Sequence, residues 1–403
     1  MRVLKILFLT CFILSLFNTR ADAQIAVIGE TVYTMAGEPI SNGVVLISNG
    51  LIEQVGTTDN IQIPDEYEVF RSEIVTPGLI DSRSVVGLAG ILNQEHDQDQ
   101  VEMSDAFQPE LRAIDAYNAR EDLVKFILRK GITTVHTGHG PGALVSGQTM
   151  IVKTAGNTLE ESLVDSTMAI AITLGAGIRG DYSTPGTRAK SVAMFRQHLI
   201  DGREYAENRN SDNPPSRNLQ KEVIADLLEG KISALVHVQR AQDIMTAIRL
   251  QTEFGFPMML EGAAEAYLVM DEIKEASVPV IIHPTMVRTW GETQNASFET
   301  AAKLKEEGIP VIFQSGYEGY VPKTRVALFE AAIAVANGFE FMDALRALTI
   351  DAAYQFGIDD RVGSLEIGKD ADLVLFNGDP FEYTTRAQAV IVDGEVVFEL
   401  NSF

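Results

Sequence analysis

Histidine and carboxylate side chains stand near the ends of several apolar, strand-like segments of the sequence. At the end of such a segment, or a few residues after it, stand His136, His139, His237, Glu261, His283 and Glu318. If the segments are parallel strands of one barrel, their carboxyl ends meet on one face, where catalytic groups gather. Imidazole and carboxylate groups that converge there can bind a divalent metal such as zinc. The sequence therefore predicts a candidate metal set of His237, His136, His139 and His283. The simpler alternative is that each histidine caps the barrel mouth through the backbone of a loop.

Lys153 and His96 carry weaker signals. Lys153 lies in the third apolar segment, where a carbamylated lysine could bridge two metals or a lysine of lowered pKa could act as a base. The alternative is a side chain that reaches solvent. His96 lies in the acidic loop QEHDQDQ, where it either bonds within its own loop or closes over the barrel mouth. The sequence does not fix the role of either residue.

The elements that must position these side chains are eight apolar segments separated by amphipathic helical stretches. The segments are VTPGLID, ITTVHTG, TMIVKTA, MAIAITLG, ALVHVQ, PMMLEG, PVIIHP and PVIFQSG. The helical stretches include 113–129, 241–254, 297–307 and 324–337. Apolar strands that alternate with helices predict an α/β fold with a parallel sheet covered on its outside. Eight of them fit a (β/α)8 TIM-like barrel. An open doubly wound sheet is the alternative, because periodicity alone cannot show closure.

The two ends of the chain have a different pattern, with short strands of alternating hydrophobicity. Asn42-Gly43 and Asn49-Gly50 are hairpin signals near the N-terminus, and the tail from residue 361 returns to alternating strands. We therefore expect a small composite β-sandwich domain formed from both chain ends. The predicted organisation is a signal peptide over 1–23, the composite β domain over 24–74 plus 353–403, and the barrel over 75–352.

The first 23 residues have the layout of a secretory signal peptide. Arg2 and Lys5 precede an apolar stretch, and the small-residue cleavage site ADA follows it. We therefore expect the mature chain to begin at Gln24 and to be exported to the periplasm or the extracellular space. No later apolar run is long enough to hold it in a membrane. Cys11, the only cysteine, would leave with the signal peptide, so neither a disulfide nor a thiol nucleophile is expected.

The charge of the chain limits its partners. The formal net charge is −24, which argues against nucleic acid or an anionic membrane surface as a partner. A small-molecule substrate is the expectation that remains, although the charge does not define it.

The sequence resembles the amidohydrolase superfamily, in particular its imidazolonepropionase-like and prolidase-like exported members. Three pieces carry the resemblance: TPGLID before the first barrel strand, ALVHVQRAQDIMTAIRL around the fifth, and the tail ALTIDAAYQFGIDDRVGSLEIGKDADLVLF. The resemblance covers nearly all of the mature chain and implies the barrel already read from periodicity. It also implies hydrolysis of a C–N bond by water that one or two divalent metals activate. The implied ligands are a His-x-His on strand one, single histidines on strands five and six, and an aspartate on strand eight.

Most of these implied ligand positions hold other residues here. Arg83 and Val85 stand at the His-x-His positions, and Gly262 and Gly316 stand at the strand-six and strand-eight positions. Only His237 matches. A catalytic zinc needs about three protein ligands and an open position, and an arginine keeps its positive charge. The metal site that the resemblance implies therefore lacks most of its ligands.

Two main functions remain open. In the first, the chain is an exported hydrolase of a small amide, cyclic amide or peptide, with Glu261 or Glu318 as general base. The water is then activated either by a metal held by the histidines, or without metal by a histidine–glutamate pair while Arg83 polarises the scissile carbonyl or binds a substrate carboxylate. In the second, the chain is a non-catalytic member that binds a small molecule or pairs with an active homologue. A lyase or isomerase is a third reading without specific support. Dimers are common in the superfamily, so we expect a homo-oligomer or pairing with a homologue.

Overall fold

The computed structural model describes residues 24–92, 94–178, 182–283, 289–316 and 326–400. These residues form two sheets, one of eight strands and one of seven. The predicted signal peptide and Glu318 lie outside the described residues. None of the described helices is both long and apolar enough to cross a membrane.

The strands and helices alternate through the middle of the chain, as the periodicity predicts. The strands are β1 (Ile25–Val32), β2 (Ile40–Ser48), β3 (Leu51–Thr57), β4 (Glu68–Pro77), β5 (Leu79–Ser84), β6 (Ile132–Gly138), β7 (Val145–Lys153), β8 (Leu163–Thr173), β9 (Ser233–Val238), β10 (Met258–Gly262), β11 (Val280–Ile282), β12 (Val311–Phe313), β13 (Leu373–Phe376), β14 (Ala387–Val392) and β15 (Glu395–Glu399). The helices are α1 (Asp122–Leu128), α2 (Leu159–Ser162), α3 (Arg188–Asn208), α4 (Leu219–Leu228), α5 (Ala241–Phe254), α6 (Met270–Glu275), α7 (Thr300–Glu306), α8 (Val326–Ala336), α9 (Phe341–Ala347) and α10 (Ile350–Phe356).

The eight-stranded sheet contains all eight predicted apolar segments and curls into a nearly closed barrel. Its strands follow chain order from β5 to β12, and a parallel bridge between Ser84 and Gly316 joins its two edges. The amide of Gly316 donates to the carbonyl oxygen of Arg83 at 3.0 Å. The structure therefore supports the predicted barrel rather than the alternative of an open sheet.

One strand of the barrel contradicts the expectation of eight parallel strands. Strand β7 is antiparallel to both of its neighbours, β6 and β8. Only six residues separate β6 from β7, whereas a parallel pair needs a crossover of a dozen residues or more. The antiparallel direction carries the end of β7 away from the barrel mouth, and Lys153 with it.

The barrel interior is filled by one apolar residue from each of seven strands. This inner layer contains Ile80, Ile151, Ala169, Leu235, Met259, Ile281 and Ile312. It packs against α10 through Ala352, Ala353 and Phe356. A fully buried side chain of this size contributes roughly 1.5–3 kcal/mol. The layer forms a packed floor beneath the polar residues of the mouth.

The seven-stranded sheet combines both ends of the chain, in the order β15-β14-β13-β4-β1-β2-β3. Asn49 and Gly50, with φ of 54° and 78°, form the predicted turn between β2 and β3. The other hairpin prediction is wrong, since Asn42 and Gly43 lie inside β2. There Gly43 pairs with Gly29, and a Cβ at Gly43 would lie 2.5 Å from Val32. The sandwich arrangement and the domain boundaries stay predictions.

Three of the predicted helices lie where periodicity places them, and one is shorter. Helix α5 has the predicted bounds, because Gly255 adopts a left-handed φ of 80° at its C-terminus. The 113–129 stretch instead contains a short 3-10 turn followed by α1. The difference leaves a loop at the mouth end of β5 rather than a long helix.

Candidate active site

The candidate site lies directly above the inner layer of the barrel. Side chains alternate along a strand, so a residue two positions after an inward one faces inward again. Leu235 and Met259 belong to the inner layer, and His237 and Glu261 follow two positions later. The register makes His237 and Glu261 direct neighbours on β9 and β10. An imidazole and a carboxylate are thus brought side by side at the mouth.

Arg83 reaches the centre of the mouth because β5 is irregular at this point. The pairing of β5 with β6 shifts register between Asp81 and Ser84, and such bulges redirect side chains. The Arg83 guanidinium is fully buried; Nη1 donates to the carbonyl oxygen of Ser84 at 2.8 Å, and Nη2 donates to that of His139. Its positive charge is therefore held in a fixed position.

Glu261 supplies the negative charge opposite Arg83. Its Oε2 lies 3.6 Å from Nε of Arg83, and its side chain is 1% exposed. Its Oε1 has no hydrogen-bond partner among the described residues. Burial raises the pKa of Glu261, and the charge of Arg83 opposes that rise. The carboxylate is thus more basic than a solvent-exposed glutamate, and one oxygen is available to a water or substrate atom.

The two histidines of strand β6 and the loop after it differ in their contacts. His136 uses both ring nitrogens, with Nδ1 3.0 Å from the carbonyl oxygen of Ser82 and Nε2 2.7 Å from Oγ1 of Thr149. Neither ring nitrogen of His139 has a hydrogen-bond partner in the described part of the chain. Burial, with a smaller effect of the Arg83 charge, lowers the pKa of His136 to about 3 and that of His139 to about 4. Both rings are neutral at neutral pH.

His237 is the most accessible of the mouth histidines. It is partly exposed, and its Nε2 lies 3.4 Å from Nε2 of Gln239. Burial within the barrel, then the charges of His283 and Arg83, lower the pKa of His237 to about 3. His283 follows β11 and lies against Gly316, where an added Cβ would be 2.6 Å from its Nε2. The mouth therefore presents neutral imidazole beside the Arg83–Glu261 ion pair.

Asp81 and Ser315 form a contact that sequence reasoning missed. Asp81 is fully buried and accepts hydrogen bonds from the amide of Ser315 at 2.9 Å and from its hydroxyl at 2.5 Å. Burial raises the pKa of Asp81 to about 6, against the lowering effect of these bonds. The aspartate of TPGLID and the serine of the last strand were each visible in the sequence. Their contact across the barrel seam was not.

The residues present do not fit the metal that the resemblance implies. The guanidinium of Arg83 is fixed at one ligand position, and the apolar side chain of Val85 is buried at the other. Gly262 and Gly316 have φ of 84° and 80°, which disfavours any side chain. A Cβ at Gly262 would also lie 2.6 Å from Gln239. The ligand positions are therefore closed as well as substituted.

The predicted metal set gains no support from the geometry. Across the described ranges, no three His, Cys, Asp or Glu side chains are grouped as a metal would require. His136 is already engaged through both nitrogens, while His139, His237 and His283 lie at the mouth without a shared centre. The assignment of these histidines as ligands stays a prediction, and the predicted base Glu318 lies outside the described residues.

Lys153 and His96 both contact aspartates that lie outside the group of Arg83, His237 and Glu261. The Nζ of Lys153 contacts the carboxylates of Asp370 and Asp372, at 2.8 and 3.2 Å, and that of Asp393. These aspartates belong to the chain segment of the seven-stranded sheet, so the metal-bridging and catalytic readings of Lys153 are wrong. His96 is exposed and lies 3.4 Å from Asp97 in its own loop, as the loop interpretation predicts.

The nearly closed barrel is similar in fold to known amidohydrolases. The sequence matches the model of the Amidohydrolase family over residues 90–398. The chain belongs to this family. The similarity to its members supports a hydrolase of C–N bonds as the general class of enzyme to which this chain belongs.

Three known proteins illustrate the similarity. A crystal structure of an amidohydrolase from Thermotoga maritima has 31% identity and a TM-score of 0.87, and the match covers 93% of this chain and 100% of that one. The amidohydrolase tasK of Hapsidospora irregularis is 23% identical over 89% of this chain, which spans 40% of that longer protein. The imidazolonepropionase of Thermoplasma volcanium is 22% identical, covering 89% of this chain and 91% of the enzyme.

Proposed function

We propose that the chain hydrolyses a C–N bond of a small amide, cyclic amide or peptide at the barrel mouth, without the family metal. The observation that carries the proposal is the buried Glu261. One of its oxygens faces Arg83, and the other has no hydrogen-bond partner among the described residues. The neutral, partly exposed His237 lies beside it.

The proposed reaction uses these three groups in order. His237 orients a water, and Glu261 accepts one of its protons as the oxygen attacks the carbonyl carbon. Arg83 stabilises the negative charge that develops, because its guanidinium is fixed before the reaction begins. Glu261 then returns the proton to the leaving nitrogen while the C–N bond breaks. The products are a carboxylic acid and an amine.

Replacing Glu261 by glutamine tests this mechanism. Turnover of an amide or dipeptide should fall by about 10²–10⁴-fold, as expected for loss of a general base. Glu272→Gln, on the exposed surface of α6, is the matched control and should keep full activity. Assays in a metal chelator should give the parental rate. A rate abolished by the chelator and restored by zinc would contradict the metal-free mechanism.

The pH dependence gives an independent test. Glu261 must be ionised to accept a proton, and burial raises its pKa. Activity should therefore fall on acidification at a higher pH than that of an ordinary glutamate, about 4.3. This acidic limb should be absent from any residual activity of Glu261→Gln. The same limb in both proteins would assign the titration to another group.

A non-catalytic binding role is the second candidate. It is favoured by the full burial of Arg83 and by its two hydrogen bonds to main-chain carbonyl groups, which would equally suit a structural role. Saturable binding of an amide without turnover, in protein purified with and without added metal, would favour this candidate over hydrolysis. Mixing with an intact homologue, followed by size-exclusion chromatography, would test the pairing version.

Export and self-association complete the proposal. The basic, apolar and small-residue layout of the first 23 residues supports export to the periplasm or the extracellular space. N-terminal sequencing of the exported protein should begin at Gln24. Sedimentation of the mature chain would show whether it forms the expected homo-oligomer.

A further inference from the structure

The loop that follows β11 is fastened to neighbouring loops of the barrel mouth through Glu292. Its Oε1 accepts hydrogen bonds from the amide of Ala176, after β8, at 3.0 Å and from Nη2 of Arg188 at 2.6 Å. Nε of Arg188 donates to both carboxylate oxygens of the buried Asp243, at 2.8 and 3.1 Å. Charge-assisted hydrogen bonds of this kind are the stronger ones in proteins. The loop is therefore tied to the segments that follow β8 and β9.

The same loop has a second attachment at Glu265. Nδ2 of Asn295 donates to Oε1 of Glu265 at 2.7 Å, and the amide of Ala241 donates to Oε2 at 2.8 Å. Nε of Arg240 lies 2.9 Å from Oε1. The Tyr267 hydroxyl donates to the carbonyl oxygen of Asn295 at 2.8 Å. The loop after β11 is thus held at two points that lie three residues apart.

Trp290 stands on this held loop with 75% of its surface exposed. Leu268, beside Tyr267, is 55% exposed, and Phe298, three residues after Asn295, is 44% exposed. An exposed indole contributes little to the apolar surface that folding buries. Its apolar surface is therefore available to a ligand. The three side chains lie in loops after β10 and β11, the strands that lead to Glu261 and His283.

We propose that Trp290, Leu268 and Phe298 form an apolar rim that binds an apolar group of the substrate. This inference rests on the proposed function and narrows it to small amides or peptides that carry a bulky apolar side chain. Trp290 is then a specificity-determining residue, while Glu292 and Glu265 are positioning residues that hold its loop. The rim residues lie on the loops that follow β10 and β11, the strands that lead to Glu261 and His283.

The size of the rim favours a substrate group over a second protein copy. One aromatic side chain buries on the order of 150–250 Å² when fully covered. Three partly exposed side chains therefore fall short of the roughly 800 Å² per partner that a stable interface buries. A single benzyl or isobutyl group matches the area that is available.

Tryptophan fluorescence tests the proposal directly, because Trp290 is the only tryptophan of the chain. Three matched pairs are titrated: Leu-Phe with Gly-Gly, N-acetylphenylalaninamide with N-acetylglycinamide, and 5-benzylhydantoin with hydantoin. The titrations use the parent and Glu261→Gln, which should bind without consuming the probe. At least one apolar probe should change the emission saturably, and its polar partner should bind about tenfold more weakly, as expected for loss of one aromatic contact.

Two variants give the functional readout. Trp290→Ala should raise KM for the apolar probe about tenfold, with kcat and the KM of its polar partner nearly unchanged, as expected for loss of uniform binding. Tyr354→Ala, at another exposed aromatic residue, should leave both constants unchanged. Calorimetric titration replaces KM if the parent binds but does not turn over the probe.

The outcomes separate this inference from the proposed function. Saturable binding of an apolar probe without turnover would retain the rim and overturn the hydrolase. Hydrolysis of an apolar probe with no change in emission would overturn the rim. No binding of any apolar probe would overturn it as well. Emission that depends on protein concentration without a probe would show that a second copy covers the surface, and would also contradict the proposal.

Discussion

Replacing Lys153 by methionine should destabilise the protein strongly and in a pH-dependent way. The Lys153 ammonium, with a side chain 4% exposed, contacts the carboxylates of Asp370, Asp372 and Asp393. Asp370 is also paired with Arg361 at 2.7 Å, so it keeps a cation when Lys153 is removed. Burial lowers the pKa of Lys153, but the charges of Asp372 and Asp393, together with the hydrogen bonds to Asp370 and Asp393, more than offset this effect, so the pKa is raised overall. Methionine keeps the apolar stem and removes the charge. The loss in free energy of unfolding should therefore come from the ion contacts rather than from packing.

The magnitude follows from the burial of the partner left behind. Removing one member of a buried ion pair typically costs about 3–5 kcal/mol, because the remaining charge is uncompensated. Asp372 is the buried partner, whereas Asp393 is 55% exposed and can be solvated. We therefore expect most of the loss to come from Asp372.

The pH dependence follows from the pKa of Asp372. Burial raises that pKa to about 6, although the Lys153 charge lowers it. Without Lys153 the pKa should rise further. As pH falls through this range, Asp372 takes up a proton in the folded state before it does so in the unfolded state. The uncompensated charge of Asp372 then disappears. The destabilisation caused by Lys153→Met should therefore be smaller at pH 5 than at pH 7.5.

Urea unfolding at both pH values measures the effect. Lys231→Met is the matched control, because Lys231 also contacts two carboxylates, at 2.7 and 2.9 Å, but lies on the surface; its midpoint should barely change. Adding Asp372→Asn to Lys153→Met should recover part of the lost stability at pH 7.5. A loss no larger than that of Lys231→Met, or an equal loss at both pH values, would refute the reasoning.

Three further predictions concern the barrel mouth and its seam. Arg83→His with Val85→His should bind no zinc by elemental analysis after metal loading, because the positions on β10 and after β12 still hold glycine; tight zinc binding would show that the ligand positions are assigned wrongly. Asp81→Ala should lower the free energy of unfolding by about 1–3 kcal/mol, since the buried amide and hydroxyl of Ser315 lose their common acceptor; an unchanged urea midpoint would exclude this contact as a source of stability. Gly316→Ala should lower the melting temperature, because its φ of 80° disfavours a side chain; an equal melting temperature would contradict the left-handed conformation.

The positions of the barrel elements follow from the sequence where local signals are strong. The four strands β9 to β12 are short apolar runs, three of them begin after a proline, and α5 ends at a glycine that adopts the left-handed conformation. These features depend on neighbours within a few residues. Periodicity can therefore locate them without knowledge of the tertiary fold.

The direction of β7 does not follow from hydrophobic periodicity, which is the same for either direction of a strand. The chain offered one usable signal, the six-residue connection between β6 and β7, which is too short for a parallel crossover. Without that signal, Lys153 is placed at the mouth. In the structure it lies at the end of the barrel opposite the mouth and contacts aspartates more than 200 residues away in sequence.

The residues that stand at the usual metal positions could be identified from the sequence. The ion pair that balances the charge of Arg83 could not. Arg83 pairs with Glu261 across the barrel, and no local pattern links two residues on different strands. The same holds for Asp81 and Ser315. Sequence patterns identified the substituted positions, whereas the charge balance of the site depends on the tertiary contacts.

Because Arg83 and Glu261 form a buried ion pair, the effect of a substitution at one position of the mouth depends on the residues at the others. Reverting Arg83 alone to histidine would leave Glu261 buried without its cation, at a cost of about 3–5 kcal/mol. Filling Gly262 would bring a new side chain against Gln239 on a left-handed backbone. Each single reversion thus loses stability before any metal can bind. The Arg83 guanidinium therefore compensates the buried charge of Glu261, and we propose that the same group meets the carbonyl of a substrate that reaches the site.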